Sequence, residues 1–266
     1  MPGQQVEVVT QAPSDRTEAA GLGGTPRWTA LAPVAWRIWG VLAVLSIPVL
    51  LITASLRGLV AAPSLYDYGF EKYGISEAVG ISPEDLKGVV APAFIRYFTS
   101  DDERLQIRVR VAGVERDLFT EREVVHMRDV KGLIVFNSRL MWASLGVLAT
   151  YAFVAALRWR FKAGPRLART AFGGALVTIA LLLALGLGAL VGFDQLFLQF
   201  HLISFANDFW QLDPRQHYLI AMFPEAFFRD ATLAIAATVL AEAAVLAGVA
   251  GFLLRHARKR RALAGG

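Results

Sequence analysis

The chain has 266 residues, of which 55% are hydrophobic and 18% charged, and its mean hydropathy is +0.47. Charged residues make up about a quarter of a soluble domain, so this composition, concentrated in apolar runs, indicates a membrane protein. The sequence contains no cysteine, which excludes disulfides, thiolate zinc sites and thiol nucleophiles. The net charge is +5, but the basic residues flank apolar runs and do not form the aromatic-interleaved basic face of a nucleic-acid-binding protein.

The first 35 residues are rich in glycine, proline and polar residues, which is typical of a disordered tail. An apolar run between Arg37 and Arg57 follows and predicts the first membrane span, at about residues 38–60. A helix needs about 20 apolar residues to cross the hydrocarbon core, and this run is long enough. It is too long, and begins too late in the chain, to be a secretory signal peptide.

Residues 61–133 form the first predicted outer segment. Within it, LQIRVRV at residues 105–111 alternates apolar and polar residues, which predicts a half-buried strand. Ser82 followed by Pro83 predicts the N-cap and the first position of a helix. We therefore expect a small α+β segment that is too small to own a large hydrophobic core and that rests on the helix bundle and the lipid surface.

A capping box marks the start of the next helix. Thr120 and Glu123 have the T-x-x-E spacing in which each side chain accepts a hydrogen bond from the other residue's backbone N–H, so a helix should begin at Glu121. His126 and Asp129 lie three residues apart on this helix and share one face. A carboxylate in that position could orient the imidazole and raise its basicity. A solvated helix face has the same pattern, and the spacing leaves both interpretations open.

Three further apolar runs predict spans at about residues 134–157, 170–193 and 229–254. The loop between the second and third spans carries five basic residues and no acidic one, and a basic tail at residues 255–266 follows the fourth span. Lys and Arg accumulate on the cytoplasmic side of membranes, so we expect both termini in the cytoplasm and both outer segments on the opposite side. Glu242 lies within the fourth span, either as a functional group or as a protonated, hydrogen-bonded carboxyl inside the bundle.

Residues 194–228 form the second outer segment, which is rich in phenylalanine. An aromatic, only partly polar stretch between two spans predicts a helix lying in the membrane interface. Asp194, His201 and Asp208 follow at spacings of seven residues and so share one stripe. His201 could snorkel from the lipid surface or have a chemical role. The predicted fold is an α-helical membrane protein: a four-transmembrane-helix bundle with a small α+β extracytoplasmic segment between helices 1 and 2 and an interfacial helix between helices 3 and 4.

The stretch REVVHMRDVKGL contains His126, and FHLISFANDFWQLDP, followed by MFPEAFF, contains His201. Both resemble motifs of the lipoprotein intramolecular transacylase family, known as Lit. YDYGFEKYGIS and YFTSDDERL also look like the first outer segment of that family. The resemblance covers about residues 36–254. The long N-terminal tail is a departure from the family pattern that leaves this core unaffected.

The resemblance implies a four-span enzyme of the bacterial cytoplasmic membrane whose partners are membrane lipids and lipoproteins with a diacylglyceryl group on their N-terminal cysteine. Such an enzyme moves the sn-2 acyl chain from the glyceryl oxygen to the α-amino group of the same cysteine, which gives lyso-form lipoprotein. It implies His126 and His201 as a catalytic dyad, with no metal or organic cofactor. We expect Asp129, Lys131 and Asp208 to support the dyad, for example by orienting His126 or stabilising an oxyanion.

Other functions are compatible with the same residues. The dyad could serve an outer-leaflet acyl hydrolase or a phospholipid acyltransferase, because water and other acceptors need the same base. Both histidines could instead be structural in a membrane assembly or transport factor. By ligand type, His126, Asp129, His201 and Asp208 could also hold a metal ion, although no HExxH-like spacing supports such a site.

Overall fold

The structure is a computed structural model that describes residues 27–264, and their side chains apart from those of residues 27–33, 161, 187–191, 261 and 264. The chain divides into two compact units, Met1–Arg37 and Ile38–Gly266. The tail predicted at residues 1–35 falls within the first unit. Its residues 1–26 lie outside the described residues, whereas residues 27–35 are helical, so the first helix begins earlier than predicted.

Within the described residues, helices account for most of the chain. A short π-helical stretch covers Leu86–Val90, a 3-10 turn covers Arg160–Lys162, and two strands, β1 (Arg108–Val111) and β2 (Val114–Asp117), form one hairpin. The α-helices in chain order are α1 (Arg27–Val60), α2 (Pro63–Lys72), α3 (Ile75–Val79), α4 (Pro83–Asp85), α5 (Ala91–Thr99), α6 (Glu121–Trp159), α7 (Ala163–Val191), α8 (Phe193–Ser204), α9 (Tyr218–Met222) and α10 (Glu225–Ala264).

Helices α1, α6, α7 and α10 are long and apolar enough to cross a membrane, as the sequence predicts. α6 has 39 residues, which corresponds to a length of about 58 Å, roughly twice the thickness of the hydrocarbon core. Six side chains between residues 121 and 131 are charged, and the apolar part of the helix begins at Leu133. The first three turns of α6 therefore lie outside its apolar, membrane-spanning part.

The two outer segments share one hydrophobic core. Most of its buried residues come from the stretch between Tyr66 and Leu118, one is Met127 of α6, and the rest lie between Leu219 of α9 and Phe227 of α10. Phe94 of α5 packs edge-on against Phe223, with ring centroids 5.0 Å apart. Phe227 lies so close to Gly69 that a Cβ at this glycine would be 2.6 Å from the ring. The first outer segment was expected to lack a large core, but side chains from the second segment complete one.

The predicted strand at residues 105–111 is shorter in the structure. Apolar side chains along the stretch, from Leu105 to Val111, are buried and the polar ones between them are exposed, so the alternation is as predicted. The antiparallel ladder, however, pairs only four residues, from Arg108 with Asp117 to Val111 with Val114. The turn at residues 112–113 has positive φ at both positions, which suits a two-residue hairpin turn.

Glu123 joins the start of α6 to α9. The predicted capping box is present: the Thr120 side chain accepts a hydrogen bond from the Glu123 N–H, and Glu123 Oε2 accepts one from the Thr120 N–H at 2.7 Å. The other oxygen, Oε1, accepts a hydrogen bond from the Leu219 N–H at 2.8 Å. The side chain is 0% exposed, so this carboxyl group is a buried bridge between two outer elements as well as a helix cap.

Glu242 lies on the exposed side of α10. Its Oε2 accepts a hydrogen bond from Ser55 Oγ of α1 at 3.2 Å. The carboxyl is hydrogen-bonded, as one of the two interpretations requires, but it faces outward from the helices rather than into a bundle interior.

Candidate active site

His126 lies in the second turn of α6 and is buried. The capping box fixes where α6 begins and therefore which residues of its first turns face inward. The neighbouring Met127 belongs to the shared outer core, and the ring of Phe205 lies 5.1 Å from the imidazole. The Nδ1 atom of His126 is buried without a hydrogen-bond partner among the described residues, which makes it an unusual polar atom in a folded interior.

His201 lies in the last turn of α8 and is half-buried. Its Nδ1 is 2.7 Å from the backbone carbonyl oxygen of Phe197, one turn earlier. A carbonyl oxygen can only accept, so Nδ1 must carry the proton of this hydrogen bond. In the neutral ring, Nε2 is then the atom with a free lone pair. The helix thus orients the imidazole and determines its tautomer.

The structure brings the two imidazoles together. Their ring centroids are 6.3 Å apart and their planes are inclined by 27°, although His126 and His201 are 75 positions apart in sequence. At this separation the ring nitrogens lie beyond the ~3 Å of a direct hydrogen bond, which leaves room for one polar atom between the rings. The pair can therefore act on one reacting group from two sides.

Burial disfavours the charged form of the His126 imidazole. It lowers the pKa of the His126 imidazole to about 4, because the charged form loses its hydration. A positive charge on His201 acts in the same direction, whereas Asp129 opposes the shift. At neutral pH His126 is therefore uncharged, with a lone pair available to take a proton in the course of a reaction.

Aromatic rings form the walls around the dyad. The ring centroids of Phe197, Trp210 and Phe200 lie 4.4, 5.0 and 5.3 Å from that of His201. Phe205 contacts both imidazoles, at 5.1 Å from His126 and 5.6 Å from His201. The two imidazoles are thus set in apolar surroundings, where electrostatic interactions are stronger than in water.

Asp129 does not orient His126 in this structure. Its Oδ2 accepts a hydrogen bond from Asn207 Nδ2 at 2.8 Å. Two turns earlier on α6, Arg122 donates to the Asp208 backbone carbonyl oxygen and lies 3.5 Å from the Asp208 carboxylate. The two predicted supporting carboxylates therefore hold the loop after α8 against α6, and this loop carries the aromatic walls of the dyad.

Lys131 is tied to the first outer segment rather than to the dyad. Its ammonium group donates to the Asp102 backbone carbonyl oxygen and lies 4.5 Å from the centroid of the Tyr97 ring. Lys131 instead fastens the chain after α5 to the third turn of α6.

Metal binding has no geometric support in residues 27–264. No group of three His, Asp or Glu side chains lies close enough together there to hold an ion. The two remaining histidines lie elsewhere: His217 accepts a hydrogen bond from the Asp213 N–H at 3.1 Å, and His256 stacks on Phe252 of α10. They provide natural controls for the dyad.

Three residues of the site were not predicted in their observed roles. Asn207 lies next to Asp208 in the FHLISFANDFW stretch. A polar residue inside an aromatic motif was the one feature of the sequence that could have indicated its role. Arg122 was one of several charges at the start of α6, with nothing local to distinguish it. Glu123 was recognised as a cap, but its second partner, Leu219, is 96 positions away and has no local signature.

Comparison with known proteins assigns the family. The family described as lipoprotein intramolecular transacylase Lit matches residues 41–228, more than two thirds of the chain, whereas no curated protein matches. The solved membrane integral lipoprotein intramolecular transacylase Lit from Bacillus cereus is similar with a TM-score of 0.70 and 20% identity, over 85% of this chain and 99% of that one.

Two further structures are of the Bacillus cereus protein with one histidine replaced, by arginine in one and by alanine in the other. Both have a TM-score of 0.69 and 19% identity to this chain. They cover 88% and 87% of this chain and 98% and 99% of their own, so the whole fold is shared. The chain belongs to the lipoprotein intramolecular transacylase Lit family.

Proposed function

We propose that His126 and His201 catalyse transfer of the sn-2 acyl chain of a diacylglyceryl lipoprotein to the α-amino group of its N-terminal cysteine. Family membership makes the chain an acyltransferase, a lipoprotein intramolecular transacylase. The proposed roles of the two histidines rest on the 6.3 Å separation of their imidazole rings, which come from distant parts of the sequence. Two proton carriers with room for one substrate atom between them match the needs of ester-to-amine transfer.

The reaction breaks the bond between the acyl carbonyl carbon and the glyceryl oxygen and forms a bond between that carbon and the amine nitrogen. The α-amino group, with an ordinary pKa of about 8, attacks in its uncharged form. During the attack the nitrogen must lose a proton, and His126 accepts it because its buried imidazole is neutral. The glyceryl oxygen takes a proton from His201 as it leaves, and transfer of the proton held by His126 to His201 then returns the dyad to its starting state.

His201 is the proton donor in this proposal. With its Nδ1–H on the Phe197 carbonyl oxygen, a protonated ring offers its second proton from Nε2. The Nε2–H group can then stabilise the tetrahedral oxyanion or protonate the leaving glyceryl oxygen.

The aromatic walls are the proposed contact surface for the acyl chain. Phe197 and Phe205 border the dyad, and on the outward side of α8 the apolar side chains of Phe200 and Ile203 are 50% and 83% exposed. A helix with such an exposed apolar face fits the membrane interface. We therefore propose that α8 lies at headgroup depth, where an acyl chain can reach the dyad without leaving the lipid.

The test is the mass of a lipoprotein's N-terminal peptide in a host that lacks N-acylating enzymes. Expression of this protein should leave the total mass of the diacylglyceryl peptide unchanged but move one acyl chain from the glyceryl group to nitrogen, which fragmentation detects. Loss of one acyl chain with a free amino group would replace the transacylase by a hydrolase. An unmodified peptide from a host that makes the protein in full amount would contradict the proposed activity.

We further propose that both termini are cytoplasmic and that the dyad faces the opposite side of the membrane. The support is the stretch from the end of α6 to the start of α7, which has five basic residues and no acidic one between residues 158 and 169.

Single cysteines in this cysteine-free chain test the orientation. An impermeant thiol reagent applied to intact cells should label Glu103→Cys and Gln211→Cys, which are exposed in the outer segments. It should label Lys162→Cys and Ala262→Cys, also exposed, only after the cells are opened. Labelling of position 162 in intact cells together with protection of position 211 would invert the topology.

A further inference from the structure

A cavity that neither histidine lines is found between the end of α1 and the apolar part of α6. It has a volume of about 260 Å³, and the last residues of α5 with those that follow border it. Its polar lining includes the side chains of Arg57, Arg139, Ser138 and Asp101. Its apolar lining includes Trp142, which is 62% exposed. The cavity thus combines cationic donors with an apolar wall that opens outward.

The two arginines of this cavity have no acidic partner in the described part of the chain. Arg57 Nη1 donates to Ser138 Oγ at 3.0 Å, so one guanidinium group is held in place by a neutral hydroxyl. Arg139 follows directly on α6 and is exposed. Asp101 supplies the one carboxylate among the residues that line the cavity, against these two positive charges. The cavity therefore has a net positive charge and several unused N–H donors, which suits an anion.

The depth of the cavity in the membrane points to the kind of anion. Arg57 is three residues from the end of α1, and Arg139 lies six residues into the apolar part of α6, which is about 9 Å along the helix. The arginine side chain is long enough to place its guanidinium group at the membrane interface from either position. Trp142 continues the lining one turn deeper. Guanidinium groups at headgroup depth above an apolar wall match a glycerophospholipid, with its phosphate on the arginines and its chains below.

This cavity is distinct from the dyad. Arg139 follows His126 by 13 residues on α6, which places it about 20 Å further along the helix and nearly on its opposite side. The lipid group of the proposed substrate is a diacylglyceryl thioether, which offers the arginines no phosphate. We propose that the cavity binds the phosphate group of a membrane glycerophospholipid through Arg57 and Arg139, as a lipid site separate from the transacylase site.

The experiment compares lipid retention by the full-length protein in a neutral detergent, measured by native mass spectrometry after incubation with phosphatidylglycerol. The wild-type protein should retain phosphatidylglycerol but not dioleoylglycerol, which has the same chains and no phosphate. Arg57→Gln with Arg139→Gln should lower the affinity about tenfold or more, since two charge-assisted hydrogen-bond donors are lost. The double variant with Arg57→Lys and Arg139→Lys keeps both charges but lacks the planar guanidinium group. Its affinity for phosphatidylglycerol should therefore lie between that of the wild type and that of the double glutamine variant.

Arg110→Gln is the matched control, because it removes one exposed guanidinium group of β1 that does not line the cavity. An unfolding temperature equal to that of the wild type shows that the double glutamine variant is folded. If it does not fold, the double lysine variant is compared with the wild type instead. Equal retention of phosphatidylglycerol by the double glutamine variant and by Arg110→Gln would overturn the proposal, as would equal retention of dioleoylglycerol. Displacement of the lipid by millimolar inorganic phosphate would assign the cavity to a free anion instead.

Discussion

Replacing His126 by alanine is expected to reduce N-acylation by about 10²–10⁴-fold, because general acid–base catalysis typically contributes a factor of that size. In the host lacking N-acylating enzymes, such a loss leaves the lipoprotein's N-terminal peptide with both acyl chains on the glyceryl group. His201→Ala should lose activity to a similar extent, since each imidazole carries out a separate proton transfer in the proposed reaction. Peptide mass spectrometry of both variants checks the result.

His217→Ala is the matched control for the dyad variants. It removes a half-buried histidine of the same outer segment whose contact is a hydrogen bond near the start of α9, so its activity should stay close to that of the wild type. Asp129→Asn tests the supporting role separately: the amide can still pair with Asn207, so the loss should be smaller than for either histidine. Full activity of His126→Ala, at equal protein levels, would rule out acid–base catalysis by this imidazole.

Replacing Glu123 by alanine is expected to destabilise the fold by about 2–4 kcal/mol, because a buried N–H without an acceptor costs about 1–3 kcal/mol and a helix cap is lost as well. The unpaired donor is the Leu219 N–H, which Glu123 Oε1 accepts at 2.8 Å. For a chain of this size the unfolding temperature should fall by roughly 5–15 °C. Thermal unfolding of the purified protein in detergent measures this change.

Glu121→Gln gives the comparison on the same helix turn. Glu121 is exposed and pairs with Arg104 at 2.5 Å, and an exposed pair of this kind contributes little to stability. We therefore expect an unfolding temperature within a degree or two of the wild type. Glu123→Gln keeps one acceptor oxygen, so its unfolding temperature should lie between those of Glu123→Ala and Glu121→Gln. If Glu123→Ala and Glu121→Gln unfold at the same temperature, the bridge between α6 and α9 has no stabilising role.

The long helices could be predicted from the sequence because their signals are local. The apolar runs define the spans, and the Thr120–Glu123 box places the first residue of α6 correctly. The alternation at residues 105–111 likewise identifies which side chains are buried. Each of these features depends on neighbours within a few positions, and a pattern of that range can be read without knowing the tertiary structure.

The arrangement of the site could not be derived from residue spacing. His126 and His201 meet only because α8 turns its last residues toward the first turns of α6, a contact across 75 positions that no periodicity encodes. The family resemblance, rather than the spacing, pointed to the pair. The carboxylate expected beside His126 was misplaced for a related reason: a side chain three residues away on a helix shares its face, but Asp129 has a competing partner in Asn207.

The shared outer core has a consequence for how the protein is made. Its first contributors, from Tyr66 to Met127, leave the ribosome well before its last ones, Leu219 to Phe227. Two long apolar helices, α6 and α7, are synthesised in the interval, so aromatic surface such as Phe94 remains without the rings that finally cover it. A chain that stops after α7 would present this uncovered surface, together with an unpaired His126. The shared outer core is therefore complete only when the start of α10 has been synthesised.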